Sequence, residues 1–149
     1  MMVGWQQNDR TAGEISMHHQ DVVLAKLLTL ARAREDIAAL WLYGSRARGD
    51  HGINSDYDLA VAFTDWITDP LERRLRPELL AMDWQRELGL SEGEISVVDL
   101  AICPIPLGWS ILSEGQRLLD HHPQLRMTQE SRIMSRWELD YCHQERRHG

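Results

Sequence analysis

Lysine is almost missing from this chain: Lys26 is the single one, and the other fifteen of its sixteen cationic residues are arginines. Against 23 acidic residues they leave a formal charge of −7. A net anion gains little by neutralising phosphates, which argues against a general-purpose DNA or RNA binder. Arginine without lysine suits planar, two-pronged recognition of carboxylate or phosphate at a few places. Cysteine is scarce too. Cys103 and Cys142 are too few for a disulfide framework and have no metal-ligand spacing, so reduced thiols are expected. No stretch approaches the ~20 apolar residues of a membrane span. The opening MMVGWQQNDR lacks the apolar run of a signal peptide, and a cytoplasmic protein without membrane contact is expected. The Gly-x4-Gly-Lys string of P-loop enzymes is also absent.

What is present suits one folded unit. Of 149 residues, 43% are hydrophobic and 26% charged, and a domain of this size buries ~68–70% of its unfolded surface without staples. A single domain over 1–149 is expected, with 1–15 flexible and 123–149 forming a closing helix and tail. Asp21 is an acceptable N-cap for a helix to about Asp36, with Val23, Leu24, Leu27, Leu28, Leu30 and Ala31 on its apolar face. Leu40-Trp41-Leu42-Tyr43 reads as a buried strand entering the turn Gly44-Ser45. Residues 46–55 are too polar for the core, and Tyr57 to Phe63 reads as a second strand with Tyr57, Leu59, Val61 and Phe63 on one face.

Asp69-Pro70 starts a helix in which Leu71, Leu75, Leu79 and Met82 recur at helical spacing up to Gly89, with Pro77 as a kink or a late start. Ile95 to Ala101 is a third strand, Leu107 to Glu114 a short helix, Arg117 to Leu119 an edge strand and Gln124 to His143 a final amphipathic helix. The alternation predicts an α/β fold: a small mixed sheet of three to four strands with helices packed against it.

The strongest chemical signal is Gly44-Ser45 followed, after ten residues, by Asp56-Tyr57-Asp58. Asp56 and Asp58 leave the same face of a strand ~7 Å apart. Two bare carboxylates there repel and raise each other's pKa, and a hard divalent cation removes that cost. A solvated strand start is the bland alternative. A third acid, Asp99, sits in Val97-Val98-Asp99-Leu100, where it must be paired, metal-bound or protonated. If the second and third strands are neighbours, Asp99 joins Asp56 and Asp58 in the cluster that a two-metal transfer uses. Gly44 allows a sharp turn and close backbone approach, the amides and hydroxyl of Ser45 can donate to phosphate, and Arg46 and Arg48 stand ready as cations.

The string YGSRARGDHGINSDYDLAV with a later strand Asp resembles the minimal branch of the polymerase-beta-type nucleotidyltransferases, over about residues 20 to 120. That resemblance implies the nucleotidyltransferase fold, ATP as substrate and two Mg²⁺ ions. Asp56, Asp58 and Asp99 would be catalytic metal ligands, and Gly44 and Ser45, with Arg46 and Arg48, would hold the nucleotide phosphates. Larger members carry a second domain for the acceptor, for which this chain has no room. The minimal members resemble antitoxins paired with helical HEPN ribonuclease toxins, implying transfer of AMP to a toxin tyrosine. Nucleotidylation of a small molecule of aminoglycoside type, and an antitoxin acting by occlusion alone, are the alternatives. The final helix, with Arg132, Arg136, Glu138 and Arg146, offers either a docking face or a solvated one.

The histidines carry no metal motif. His18-His19 and His121-His122 are adjacent pairs that point apart, and His143 beside Cys142 is equally weak. His51 in the motif loop reads as a surface residue or a phosphate contact. The tryptophans lack the clustering of a base-stacking platform. Trp41, Trp84 and Trp109 are expected in the core, and Trp66 at an adenine pocket or an interface.

Overall fold

The computed structural model describes residues 21–50, 52 and 55–142. Asp21 caps α1 (Val22–Arg32) as expected, its Oδ1 accepting from the Leu24 amide at 3.0 Å. The helix stops earlier than the apolar pattern allows. Beyond it, the Arg34 guanidinium donates to both oxygens of Asp36 at 2.9 Å in the turn leading to β1 (Ile37–Tyr43). A single helical turn, α2 (Ser45–Arg48), and a polar loop lead to β2 (Tyr57–Phe63).

The remainder alternates. α3 (Pro70–Leu88) is followed by β3 (Ile95–Asp99), α4 (Ile105–Glu114), β4 (Gln116–Asp120) and α5 (Pro123–Trp137), which ends in a π-type turn to Cys142. The four strands form one mixed sheet in the order β3-β2-β1-β4. β1 is antiparallel to β2 and β4, and β2 is parallel to β3. A right-handed crossover is the usual route between parallel neighbours, and α3 supplies the connecting helix.

Helices cover both faces, which is why β1 reads as an unbroken apolar run instead of an alternating one. On one face Leu40, Leu42, Leu59, Val61, Ile95 and Val97 pack with Leu24, Leu27 and Ala31 of α1 and Leu80, Ala81 and Trp84 of α3. On the other, Trp41, Ala60 and Ala62 pack with Ile111 of α4 and Ile133 of α5.

Two expectations change here. Pro77 does not delay α3: it is buried inside a helix that runs through from Pro70, capped by Asp69 and closed by Gly89 at φ +68°. Its core-facing ridge is Pro77, Leu80, Ala81 and Trp84, whereas Leu71, Leu75, Leu79 and Met82 lie on the exposed side. Two ridges of similar spacing compete on one helix, and contact with the sheet selects the one carrying Trp84. Trp41 and Trp84 are buried as expected. Trp109 is half-buried and stacks on Trp137 with ring centroids 5.2 Å apart. Among the described residues no helix is long and apolar enough to cross a membrane.

Candidate active site

The end of β1 and the start of β2 build the site. Tyr43 pairs with Asp58 across the antiparallel ladder, so the chain leaves β1 directly beside the Asp58 carboxylate. Gly44 turns there with φ +74° and ψ −154°, a conformation that only glycine adopts without strain. A β-carbon on Gly44 would lie 2.5 Å from Oδ2 of Asp58. Glycine is therefore required twice, by its backbone and by the carboxylate pressed against it.

Asp58 is half-buried, and burial is the main cause that pushes its carboxyl above the ordinary range. The neighbouring charge of Asp56 pushes the same way, and Arg48 opposes it. Asp56 is exposed and precedes the first strand residue. The Tyr43 hydroxyl is pushed up to about 12, by burial first and then by Asp58 and Cys103, so it remains a neutral donor. Asp56, Asp58, Gly44 and Arg48 thus share one locality, with Ser45 opening the helical turn beside it.

Arg46 does something other than wait for phosphate. Its Nε and Nη2 donate to the Ser55 carbonyl at 3.1 and 2.8 Å, and its Nη1 donates to Asp21 at 3.3 Å. Its guanidinium lies 3.8 Å from the Tyr57 ring centroid. The Tyr57 hydroxyl in turn donates to the Asp21 carboxylate at 2.8 Å. Arg46 thus ties the end of the polar loop to α1 and to the first residue of β2, and only 9% of its side chain is exposed. Through these contacts it holds Ser55 and Tyr57, the residues on either side of Asp56 in sequence. Arg48, exposed and paired with Asp50 at 3.3 Å, keeps the freedom that Arg46 lacks.

Asp99 corrects the expectation of a three-carboxylate cluster. β2 and β3 are neighbours as the cluster required, but the parallel register pairs Asp99 with Val61. The residue opposite Asp58 is Ser96. Asp99 is three residues further along, an odd step that turns it to the other face about 10 Å away along the strand. It is buried at 6% exposure, and its Oδ1 accepts from the Ala101 amide at 2.9 Å. Burial raises its pKa, against the Ala101 amide and the charges of Arg76, Arg132 and Arg73.

With Phe63, Trp66, Arg73, Arg76 and Gln129 it lines a cavity of about 180 Å³ past the far ends of β2 and β3. Trp66 belongs to that cavity, with the Arg73 guanidinium 4.2 Å from its ring centroid, and so does not line an adenine site beside Asp58. Among the described residues no three His, Cys, Asp or Glu side chains converge to hold a metal ion.

Sequence reasoning missed the Asp21–Tyr57–Arg46 tie and the place of Ser96. Alternation within β3 held the signal for the second, since Ile95, Val97 and Asp99 share one parity and Ser96 has the other. On the final helix, Arg132 donates to the Leu100 carbonyl at 3.0 Å and Arg136 pairs with Asp140 at 2.9 Å, so both are engaged within the chain. His18, His19, His51, His143, Arg146 and the segment 1–15 lie outside the described residues.

Residues 25–124 match the family model described as polymerase beta, nucleotidyltransferase. No curated protein matches the sequence as a whole. Solved structures share the fold at low identity. A toxin–antitoxin structure with AMP-PNP is 21% identical with a TM-score of 0.60, over 83% of this chain and 90% of that one. A tri-AMPylated Shewanella oneidensis HEPN toxin in complex with its MNT antitoxin gives 19% and 0.60, over 85% and 92%. The toxin–antitoxin MntA–HepT gives 20% and 0.59, over 85% and 93%.

Proposed function

Because this chain belongs to the polymerase-beta nucleotidyltransferase family, we propose that it transfers AMP from ATP to a tyrosine of a helical HEPN ribonuclease toxin and thereby acts as an antitoxin. One observation carries the reading: the Asp58 carboxylate is packed against Gly44, with Ser45 next in the chain after Gly44 and the charge of Asp56 acting on Asp58. The AMP-PNP in one similar structure and the AMPylated HEPN toxin in another support nucleotide and acceptor class for those proteins, and by analogy for this one.

The donor set fits one Mg²⁺ ion. Asp56 and Asp58 are hard oxygen ligands close enough for one charge to disturb the other, and Mg²⁺ characteristically takes one or two carboxylates together with substrate phosphates and waters. It would supply neutralisation of phosphate charge during transfer. The same residues do not fit a second ion, because Asp99 lies on the other face of β3.

The chain's own contribution is geometric. Gly44 lets the backbone approach the phosphates without a side chain in the way. Ser45 offers its hydroxyl there, and Arg48 places a cation beside Asp58. Arg46 fixes the loop that carries Asp56 by holding the Ser55 carbonyl. In the reaction the acceptor oxygen bonds to the α-phosphorus while the bond from that phosphorus to the α,β-bridging oxygen breaks. Pyrophosphate leaves, and the hydroxyl proton passes to solvent. Catalysis rests on positioning and charge compensation.

Incubating the chain with ATP labelled at the α-phosphorus and a co-expressed HEPN protein tests the proposal. Label on a toxin tyrosine, lost in Asp56→Asn and Asp58→Asn, is the expected result. Label on an aminoglycoside would redirect the acceptor. A second reading, neutralisation by occlusion, draws on the displacement of Asp99 from the metal site. Full protection of cells by the double Asp56/Asp58 variant would favour it.

A further inference from the structure

Ser96 stands in β3 directly across the parallel ladder from Asp58 and is exposed to solvent. Adjacent strands run ~4.8 Å apart, so a carboxylate at this position would reach the same cation as Asp58. The residue present is a neutral hydroxyl. The nearest acid further along β3 is Asp99, which is turned to the opposite face and held by the Ala101 amide. Glu94, at the head of β3, accepts from the Ser91 amide. Among the described residues no third acid completes the set.

Resting on the nucleotidyl-transfer reading above, we propose that this chain forms a single-ion centre. Asp56 and Asp58 hold one divalent cation with the nucleotide phosphates, and Ser96 leaves the position for a second cation without its protein anchor. The physical reason is charge. Mg²⁺ dehydrates reluctantly and exchanges water for protein oxygen most readily when that oxygen is anionic. Two carboxylates already shared with one cation and a nucleotide offer little net charge to another. A serine hydroxyl adds none.

Because Ser96 is exposed and faces Asp58, replacing it with aspartate supplies the missing ligand at a position that requires no repacking. Ser96→Asp is therefore a gain-of-site variant. Ser96→Ala leaves the ion count unchanged, since the hydroxyl is not among the anchoring ligands.

The test is a Mn²⁺ titration of the full chain with adenosine 5′-(α,β-methylene)triphosphate, an analogue that cannot release pyrophosphate. Free Mn²⁺ is followed by electron paramagnetic resonance and compared with nucleotide alone. The wild-type chain is expected to take up one Mn²⁺ per chain–nucleotide complex, held more tightly than by the nucleotide alone, and Asp58→Asn to lose that added affinity. Ser96→Asp is expected to take up a second, bound at least about tenfold more tightly than any second ion in the wild type. Changes merely next to a metal ligand already shift affinity by roughly 10–100-fold. Two ions of comparable affinity in the wild type overturn the inference, as does a folded Ser96→Asp chain that stays at one.

Should Ser96→Asp fail to fold, the wild-type count decides by itself. The titration needs no acceptor. One ion with nucleotide but no label on any HEPN protein leaves the single-ion centre standing and removes the acceptor proposal. Two ions with toxin labelled does the reverse.

Discussion

Oδ2 of Asp58 fills the space in which a side chain on Gly44 would begin, 2.5 Å from where its β-carbon would sit. The turn after β1 and the carboxylate at the start of β2 are thus one unit, and neither can change without moving the other. Gly44→Ala places a β-carbon at φ +74° and drives Asp58 aside. Backbone strain of this kind costs about 1–3 kcal/mol. The expected result is a fall of several degrees in Tm together with loss of nucleotide-dependent Mn²⁺ binding. An alanine variant that binds Mn²⁺ and nucleotide normally would separate the turn from the site.

Asp58→Asn separates function from stability. Burial and the charge of Asp56 both make the ionised Asp58 unfavourable in the folded chain. Removing its charge should therefore leave thermal stability at neutral pH unchanged or raised while abolishing transfer. A clear drop in Tm on substitution would show that Asp58 holds the fold together.

Much of this was legible in the sequence. Asp69-Pro70 and Gly89 bracketed α3 because a cap, an N1 proline and a left-handed C-terminal glycine each have a local cause. The spacing of Gly44-Ser45 to Asp56 and Asp58 located the turn and the carboxylate pair because the turn closes β1 and the pair straddles the start of β2. Asp99 was misplaced because facing depends on register. A strand pattern shows that an acid is buried, but only the pairing of Val61 with Asp99 shows on which side. The exposed ridge of Leu71, Leu75 and Leu79 misled for a related reason, since helical spacing does not reveal which of two apolar ridges meets the sheet.

Arg46→Ala should destabilise the chain by about 1.5–3 kcal/mol, the range for a hydrogen bond involving a charged group. Arg46→Lys should recover little, because a lysine cannot both fork onto the Ser55 carbonyl and stack on Tyr57. Denaturant unfolding measures both. Unchanged stability with weakened ATP binding would make Arg46 a phosphate ligand after all.

Asp99→Asn should retain transfer, in contrast to Asp58→Asn. Its pKa is raised in the fold, chiefly by burial, so folding favours the protonated form. The stabilisation this gives is complete below the unfolded value of 3.8 and is lost as pH rises through the folded value. Asp99→Asn should accordingly be the more stable chain at neutral pH, with the advantage shrinking as the pH is lowered towards the unfolded value. Unfolding curves at a series of pH values read this directly. An advantage that grows on acidification would reverse the sign.

Asp56 and Asp58, set against Gly44, are proposed to move AMP from ATP to a protein partner. Label from α-phosphorus-labelled ATP is followed onto a co-expressed HEPN protein, with the wild-type chain, Asp58→Asn and Asp99→Asn side by side. Label is expected with the wild type and with Asp99→Asn, and none with Asp58→Asn. Equal labelling by Asp58→Asn and the wild type would contradict that role.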